Sequence, residues 1–249
     1  MSNDTVSIAA TDAESDLTSD GKQLSPYTDS YQFKGVHHIF TEHTKAVTTL
    51  QFAHQNKDLL CFASSDCKIT FASTAKQPSV LQQLTDHTRG VTDFEWSMTN
   101  EFLISSSLDN SVRLWDVNTA RCLRIMYDDA PVTSVRFHPF NNNIVVAGTA
   151  ASKLKVYNIS TGKCVQKFSL NAPITCVNFD SSGQLLFAGD AKGNVHIFEV
   201  GGLGQVGPST RVNISTRAVT SVEYMRWHRK HNTPSLLVSS CDNQVRFFR

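Results

Sequence analysis

The chain has 249 residues, enough for one large domain or two small ones, and at 40% hydrophobic it can fill a core. Its formal net charge of +1 does not call for nucleic acid or a membrane surface. No apolar run approaches the roughly 18 residues of a spanning helix, and the polar, acidic N-terminus lacks the basic-then-apolar opening of a signal peptide.

Residues 1–30 differ from the rest. They carry six acids (Asp4, Asp12, Glu14, Asp16, Asp20, Asp29) against one base, Lys22, and are dominated by Ser and Thr. Such a segment buries too little to offset its chain entropy, so a disordered acidic tail is expected. Its charge is −5, which leaves +6 on residues 31–249. Ser25-Pro26 reads as an ordinary tail dipeptide rather than a phosphosite. Cysteines at 61, 67, 122, 164, 176 and 241 stand singly without CxxC, which fits small core residues in a reducing compartment rather than disulfides or zinc.

From residue 46 the sequence repeats itself. "AVTTLQF", "GVTDFEW", "PVTSVRF", "PITCVNF" and "AVTSVEY" alternate apolar and polar residues as half-buried strands do. Their second residues are Val47, Val91, Val132, Ile174 and Val219, spaced by 44, 41, 42 and 45. Each stretch is followed by a second apolar run, a polar turn and a third run, such as "FLISSS" and then "VRLWDV". The aromatic of the third run is assigned to Phe71, Trp115, Tyr157, Phe198 and Phe247. Short fourth runs ("SVLQQL", "RCLRIM", "KCVQKF") lie between units. Four strands per unit at this period predict an all-β fold of five β-propeller blades.

His87, then Asp109, Trp115 and Asp116, stand in the order and spacing of the WD40 repeat, and the unit resembles that family. The resemblance implies a buried chain in which Asp accepts from His, His accepts from Ser, and the Trp indole donates to Ser. Its members here would be His87, Ser107 (with Ser105 the other choice), Asp109 and Trp115. The remaining repeats look decayed. The first keeps His43 and Asp66. The fifth keeps Asp242 but no His. The third has Ala150-Ala151-Ser152 in place of the acid, and the fourth turns through Asp190-Ala191-Lys192-Gly193. "GVHHIFTEH", "NNNIVVAG", "NISTGK" and "GQLLFAGDAKGNV" extend the likeness to one subfamily over nearly all of residues 31–249. Repeats are expected over about 43–84, 87–126, 129–168, 171–214 and 217–249.

Sites of other kinds are set aside. Ser107, His87 and Asp109 have the composition of a hydrolase triad, but they sit at repeat-defining positions and no GxSxG elbow appears. His37 and His38, on opposite faces of a strand, do not join His43 around one ion. Gly201, Gly202 and Gly204 form no phosphate loop. "RWHRKH" (226–231) could grip phosphate, and a solvated loop is the preferred reading. No catalytic, cofactor or metal site is expected.

The preferred function is a non-catalytic protein-interaction scaffold, intracellular in the nucleus or cytoplasm, docking other proteins or peptides on loops held by a rigid body. The resemblance places that surface at the loops before the first strand and after the second, where Lys45, Arg89, Leu108, Asp128, Asp129 and Arg217 lie. The alternative is nucleic-acid or chromatin association through the basic body; no membrane role is expected. "GVHHIF" (35–40) is expected to be a strand. It could close a ring against 244–248, but an incomplete ring, an open arc able to self-associate through its ends, is preferred, because the resemblance implies further blades.

Overall fold

Strict apolar–polar alternation gives a strand one face for a core and one for a polar space. The chain repeats that pattern through nineteen strands in a computed structural model that describes residues 35–54, 56–201, 205–226 and 234–248. The first blade contains β1 (Val47–Phe52), β2 (Leu59–Ser64), β3 (Ile69–Ser73) and β4 (Ser79–Leu84). The second contains β5 (Val91–Trp96), β6 (Phe102–Ser107), β7 (Ser111–Asp116) and β8 (Arg121–Tyr127). The third contains β9 (Val132–His138), β10 (Asn141–Thr149), β11 (Lys153–Asn158) and β12 (Lys163–Ser169). The fourth contains β13 (Ile174–Phe179), β14 (Leu185–Asp190), β15 (Asn194–Val200) and β16 (Val206–Asn213). The fifth has three strands, β17 (Val219–Arg226), β18 (Pro234–Ser240) and β19 (Gln244–Phe248). Every blade is an antiparallel meander in chain order. Together they form a five-bladed β-propeller within the unit 41–249.

Residues 35–40 differ from expectation: they form no strand, and no ladder joins them to 244–248. A single extended segment becomes a strand only against a partner's edge. Among the described residues β19 pairs with β18. Residues 1–34, which include the acidic tail, and most of the basic cluster at 226–231 lie outside the described residues.

The first strand of each blade touches the first strand of the next, so these strands make the inner edge. The four apolar clusters each straddle two blades. Ile69 and Phe71 of the first pack with Val91, Phe94 and Trp96 of the second. The same arrangement recurs at each later junction. The third and fourth junctions are so close that glycine is required. A Cβ on Gly148 would meet Ile174 at 2.5 Å, and one on Gly189 would meet Val219 at 2.6 Å.

The repeated Val-Thr or Ile-Thr explains part of this stacking. The hydroxyl of Thr48 donates to the carbonyl of Val91 at 2.9 Å, Thr92 to Val132 at 2.8 Å and Thr133 to Ile174 at 2.7 Å. Each bond joins the inner strands of two blades. At the fourth junction Asn178 Nδ2 donates to Val222 O instead, at 3.0 Å.

Thr92→Val preserves shape but deletes one such donor. We expect a loss of about 1 kcal/mol, seen as a lower urea midpoint at unchanged m-value; an unaltered midpoint would remove the hydroxyl's role.

Candidate functional site

The polar residues of the second blade assemble where β6, β7 and the loop before β5 meet. His87 Nδ1 lies 2.8 Å from Asp109 Oδ2, and His87 Nε2 lies 2.7 Å from Ser105 Oγ. Trp115 Nε1 donates to the same Ser105 oxygen at 2.8 Å. The indole can only donate, so Ser105 Oγ accepts from it and is bonded to His87 Nε2 as well. His87 thus bridges Ser105 and Asp109 through its two ring nitrogens. Asp109 also accepts from the Ser111 hydroxyl at 2.6 Å and the Thr88 amide at 3.1 Å. Burial works against ionising Asp109, but the bonds from His87 and Ser111 outweigh it and hold the carboxyl well below the ordinary range.

The serine in this chain is Ser105, which corrects the choice of Ser107. Side chains two apart share a strand face, so spacing alone leaves either one on the correct side. Ser107 Oγ instead donates to the carbonyls of Arg89 and Gly90, each at 2.9 Å, and accepts from the Asp109 amide. Both serines are fully buried.

The other blades solve the same turn problem with different residues. In all five, the third residue of the turn before the third strand has left-handed φ: Cys67, Asn110, Ser152, Gly193 and Asn243. In the first blade, His43 Nδ1 sits 3.0 Å from both Asp66 oxygens, and its Nε2 sits 3.1 Å from Thr70 Oγ1. Gln83 Nε2 then donates to Thr70 at 3.1 Å, standing in for the indole. In the third blade the acid comes from the preceding loop. Asp128, its carboxylate enclosed, accepts from Tyr157 Oη and Lys155 Nζ, both at 2.7 Å. Asp129 pairs with Lys153 and Lys155. In the fourth blade fully buried Asp190 accepts from Asn194 Nδ2 at 2.8 Å and His196 Nε2 at 3.0 Å. His196 Nδ1 has no partner there. In the fifth, Ser215, Ser240 and Arg246 donate to Asp242.

The ladder also corrects two aromatic assignments. Trp115 pairs with Leu103; the matching partners are Ala72 opposite Leu60 and Phe248 opposite Leu236, one residue beyond Phe71 and Phe247. From the first blade to the second, the spacing of the first strands and that of the turn acids differ by one residue, because the connection between first and second strands is one residue longer in the first blade (53–58) than in the second (97–101).

On the surface, Lys45, Arg89 and Arg217 occupy one repeat position, two residues before the inner strand, and all three are exposed. Leu108 is also exposed, on the turn after β6. Asp128 is withdrawn from that surface by its buried bonds, and Asp129 is engaged by two lysines while remaining partly exposed.

A second polar grouping lies on the inner strands and was missed in the sequence, where Asp93, Glu95 and Arg136 look like ordinary outward positions of alternating strands. Arg136 Nη1 lies 2.6 Å from Asp93 Oδ2, which also accepts from Ser134 Oγ at 2.7 Å. Glu95 accepts from the Phe137 amide. Burial pushes the Glu95 carboxyl up to about 7, with Asp93 and Glu223 adding to the rise and Arg136 opposing it. Among the described residues no group of three or more His, Cys, Asp or Glu could hold a metal ion.

Three expected outcomes follow from these bonds. Asp109→Ala and Ser105→Ala each destabilise the protein, the first by about 2–4 kcal/mol. Ser107→Ala leaves the indole and imidazole paired, so its thermal midpoint falls less than that of Ser105→Ala. Glu95 behaves differently: between about pH 4.5 and 7 the folded state keeps a proton that the unfolded chain releases, so stability falls as pH rises through that window. A thermal-midpoint series should lose this fall in Glu95→Gln.

Comparison with known proteins gives two family matches. Residues 78–116 match "WD domain, G-beta repeat", and residues 125–182 match "Anaphase-promoting complex subunit 4 WD40 domain". The chain is 32% identical over 94 residues to U3 small nucleolar RNA-associated protein 21 of Saccharomyces cerevisiae, covering 38% of this chain and 10% of that protein. It is 26% identical over 163 residues to the Retinoblastoma-binding protein 5 homolog of Drosophila melanogaster, covering 65% and 33%. Human Pre-mRNA-processing factor 17 is 26% identical over 102 residues, covering 41% and 18%. The chain thus spans a third or less of each of these relatives.

Proposed function

We propose that this WD40-repeat propeller is a non-catalytic scaffold that docks an acidic segment of another protein on the rim formed by Lys45, Arg89 and Arg217. The observation that carries this reading is the contrast between two sets of polar groups. The histidines, serines and acids with the composition of a catalytic site are buried and bonded to one another, and Ser105 is enclosed, bonded to both His87 and Trp115. The rim cations, in contrast, are exposed, and among the described residues no hydrogen bond or ion pair engages the ammonium of Lys45 or the guanidinium groups of Arg89 and Arg217. Exposed cations on short loops anchored by a rigid sheet lose little entropy when an acidic chain crosses them. Arg89 is the centre of this proposal because a planar guanidinium can take a carboxylate through two parallel bonds.

The names of the relatives, which speak of small nucleolar RNA association, pre-mRNA processing and retinoblastoma binding, support an intracellular, nuclear setting. The loop stretches "GVHHIFTEH", "NISTGK" and "GQLLFAGDAKGNV" look like those of WD repeat-containing protein 13, which supports a regulatory adaptor.

An affinity capture from nuclear extract with the full chain and with Arg89→Glu tests this reading. Arg89→Glu should lose the bulk of the captured protein while its thermal midpoint stays unchanged. Equal capture by both chains would overturn the proposal. Capture that survives in the variant but vanishes with nuclease treatment would transfer the function to nucleic acid.

A further inference from the structure

The outer strand of a blade has backbone groups on its far side with no strand to pair with, and such edges are guarded by charged or polar side chains. Among the outer strands β4, β8, β12 and β16, three follow this rule. Three residues after the left-handed turn residue, the third strand pairs with Gln83 in the first blade, Lys167 in the third and Arg211 in the fourth. Two residues further along the same edge stand Thr85, Ser169 and Asn213. The second blade departs from this pattern. There the same two positions of β8 are Ile125 and Tyr127, opposite Arg113 and Ser111. They are 38% and 73% exposed, and Leu123, at the irregularity of the same strand, is 50% exposed.

Main chain and side chain are open together at these two residues. Asp128 donates its amide to the Asn110 carbonyl at 2.7 Å, so by alternation Met126 and Arg124 pair inward, and the N–H and C=O of Ile125 and Tyr127 turn away from β7. Among the described residues β8 pairs with β7 and with no other strand. Met126, between the two, is buried in the cluster shared with the third blade, which fixes the strand from its other face. The charge around this edge is of one sign. β8 carries Arg121 and Arg124, the neighbouring β12 carries Lys163 and Lys167, all four are exposed, and neither strand contains an acid. Arg113, opposite Ile125, lies 4.0 Å from both Asp86 and Asp109 and adds no free charge.

We infer that the outer edge of the second blade takes up a fifth strand: an extended segment of another protein, apolar at alternate positions and acidic at its flanks, pairs with β8. Main-chain bonds at Ile125 and Tyr127 hold the segment, its apolar side chains lie beside theirs, and its acids meet Arg121 and Arg124. The strand adds to an edge already rigid, so little order is lost in the receiving blade. This edge does not draw on the loop cations Lys45, Arg89 and Arg217, so either proposal can fail without the other.

Binding of synthetic peptides to the full chain, read by fluorescence anisotropy, tests the inference. The probe has valine and threonine in alternation between pairs of glutamate. It should bind, and it should slow amide exchange at Ile125 and Tyr127. A proline at its centre, which removes a main-chain donor, should abolish binding. Lysine pairs in place of the glutamates should weaken binding by about tenfold or more. The double variant Ile125→Lys, Tyr127→Ser copies the guarded edge of the third blade, so it should keep the parental melting temperature and lose the glutamate probe. A glutamate probe that fails to bind, binds the double variant equally, tolerates the central proline or leaves exchange at the two residues unchanged overturns the inference. So does a mass of the full chain that rises with concentration and falls back in the double variant, because the edge then pairs with a second copy.

Discussion

A sheet has two faces, and a four-stranded blade too thin to fold on itself can bury them only against other blades. That constraint governs the rest of the molecule. It explains why each apolar cluster belongs to two blades rather than one. It also explains why the inner strands are buried in the middle of the array yet open at its beginning, although the five stretches have nearly the same pattern. Burial here follows the neighbouring blade: Val91, Phe94 and Trp96 of β5 are covered by the first blade, while Val47, Leu50 and Phe52 of β1 are exposed.

The polar chains are subordinate to this stacking. Each holds the turn between the second and third strands, where a residue must adopt left-handed φ. A turn can be held by any acceptor that reaches its amides, and the five blades use different ones. Asp66 and Asp109 act from within the turn. In the third blade Thr149 Oγ1, at the end of β10, takes the Lys153 amide, and in the fourth Asp190, also at a strand end, takes those of Lys192 and Asn194. The donor is equally replaceable, being an indole in one blade and the amide of Gln83 in another. What persists is satisfaction of buried polar groups rather than a set of residue types.

This distinction explains how far the sequence could be read. Period-two alternation and the spacing of Val47, Val91, Val132, Ile174 and Val219 report backbone geometry directly, so the blades were legible. His87, Asp109 and Trp115 were legible because one blade keeps all the residue types together. Ser105 was not separable from Ser107, since both point to the same side of β6. The Thr70–Gln83 substitute was hidden because its members come from two strands, and nothing in the local spacing pairs them. The Asp93–Arg136 contact joins two blades, and alternation shows only which face a side chain takes, not what faces it across a junction.

The threonine bonds lie at the inner edge, where adjacent blades are nearest, whereas the outer strands β4, β8, β12 and β16 are largely exposed. The array therefore stiffens toward its axis. A small tilt of one blade stretches an inner bond of under 3 Å at once, while the same tilt moves an outer strand through solvent at little cost. Insertions and drift in amino-acid type should accumulate at the periphery, and the angle between blades should stay nearly invariant. The molecule behaves less like a uniform disc than like a fan, whose ribs are bound tightly at the rivet and left free at the tips.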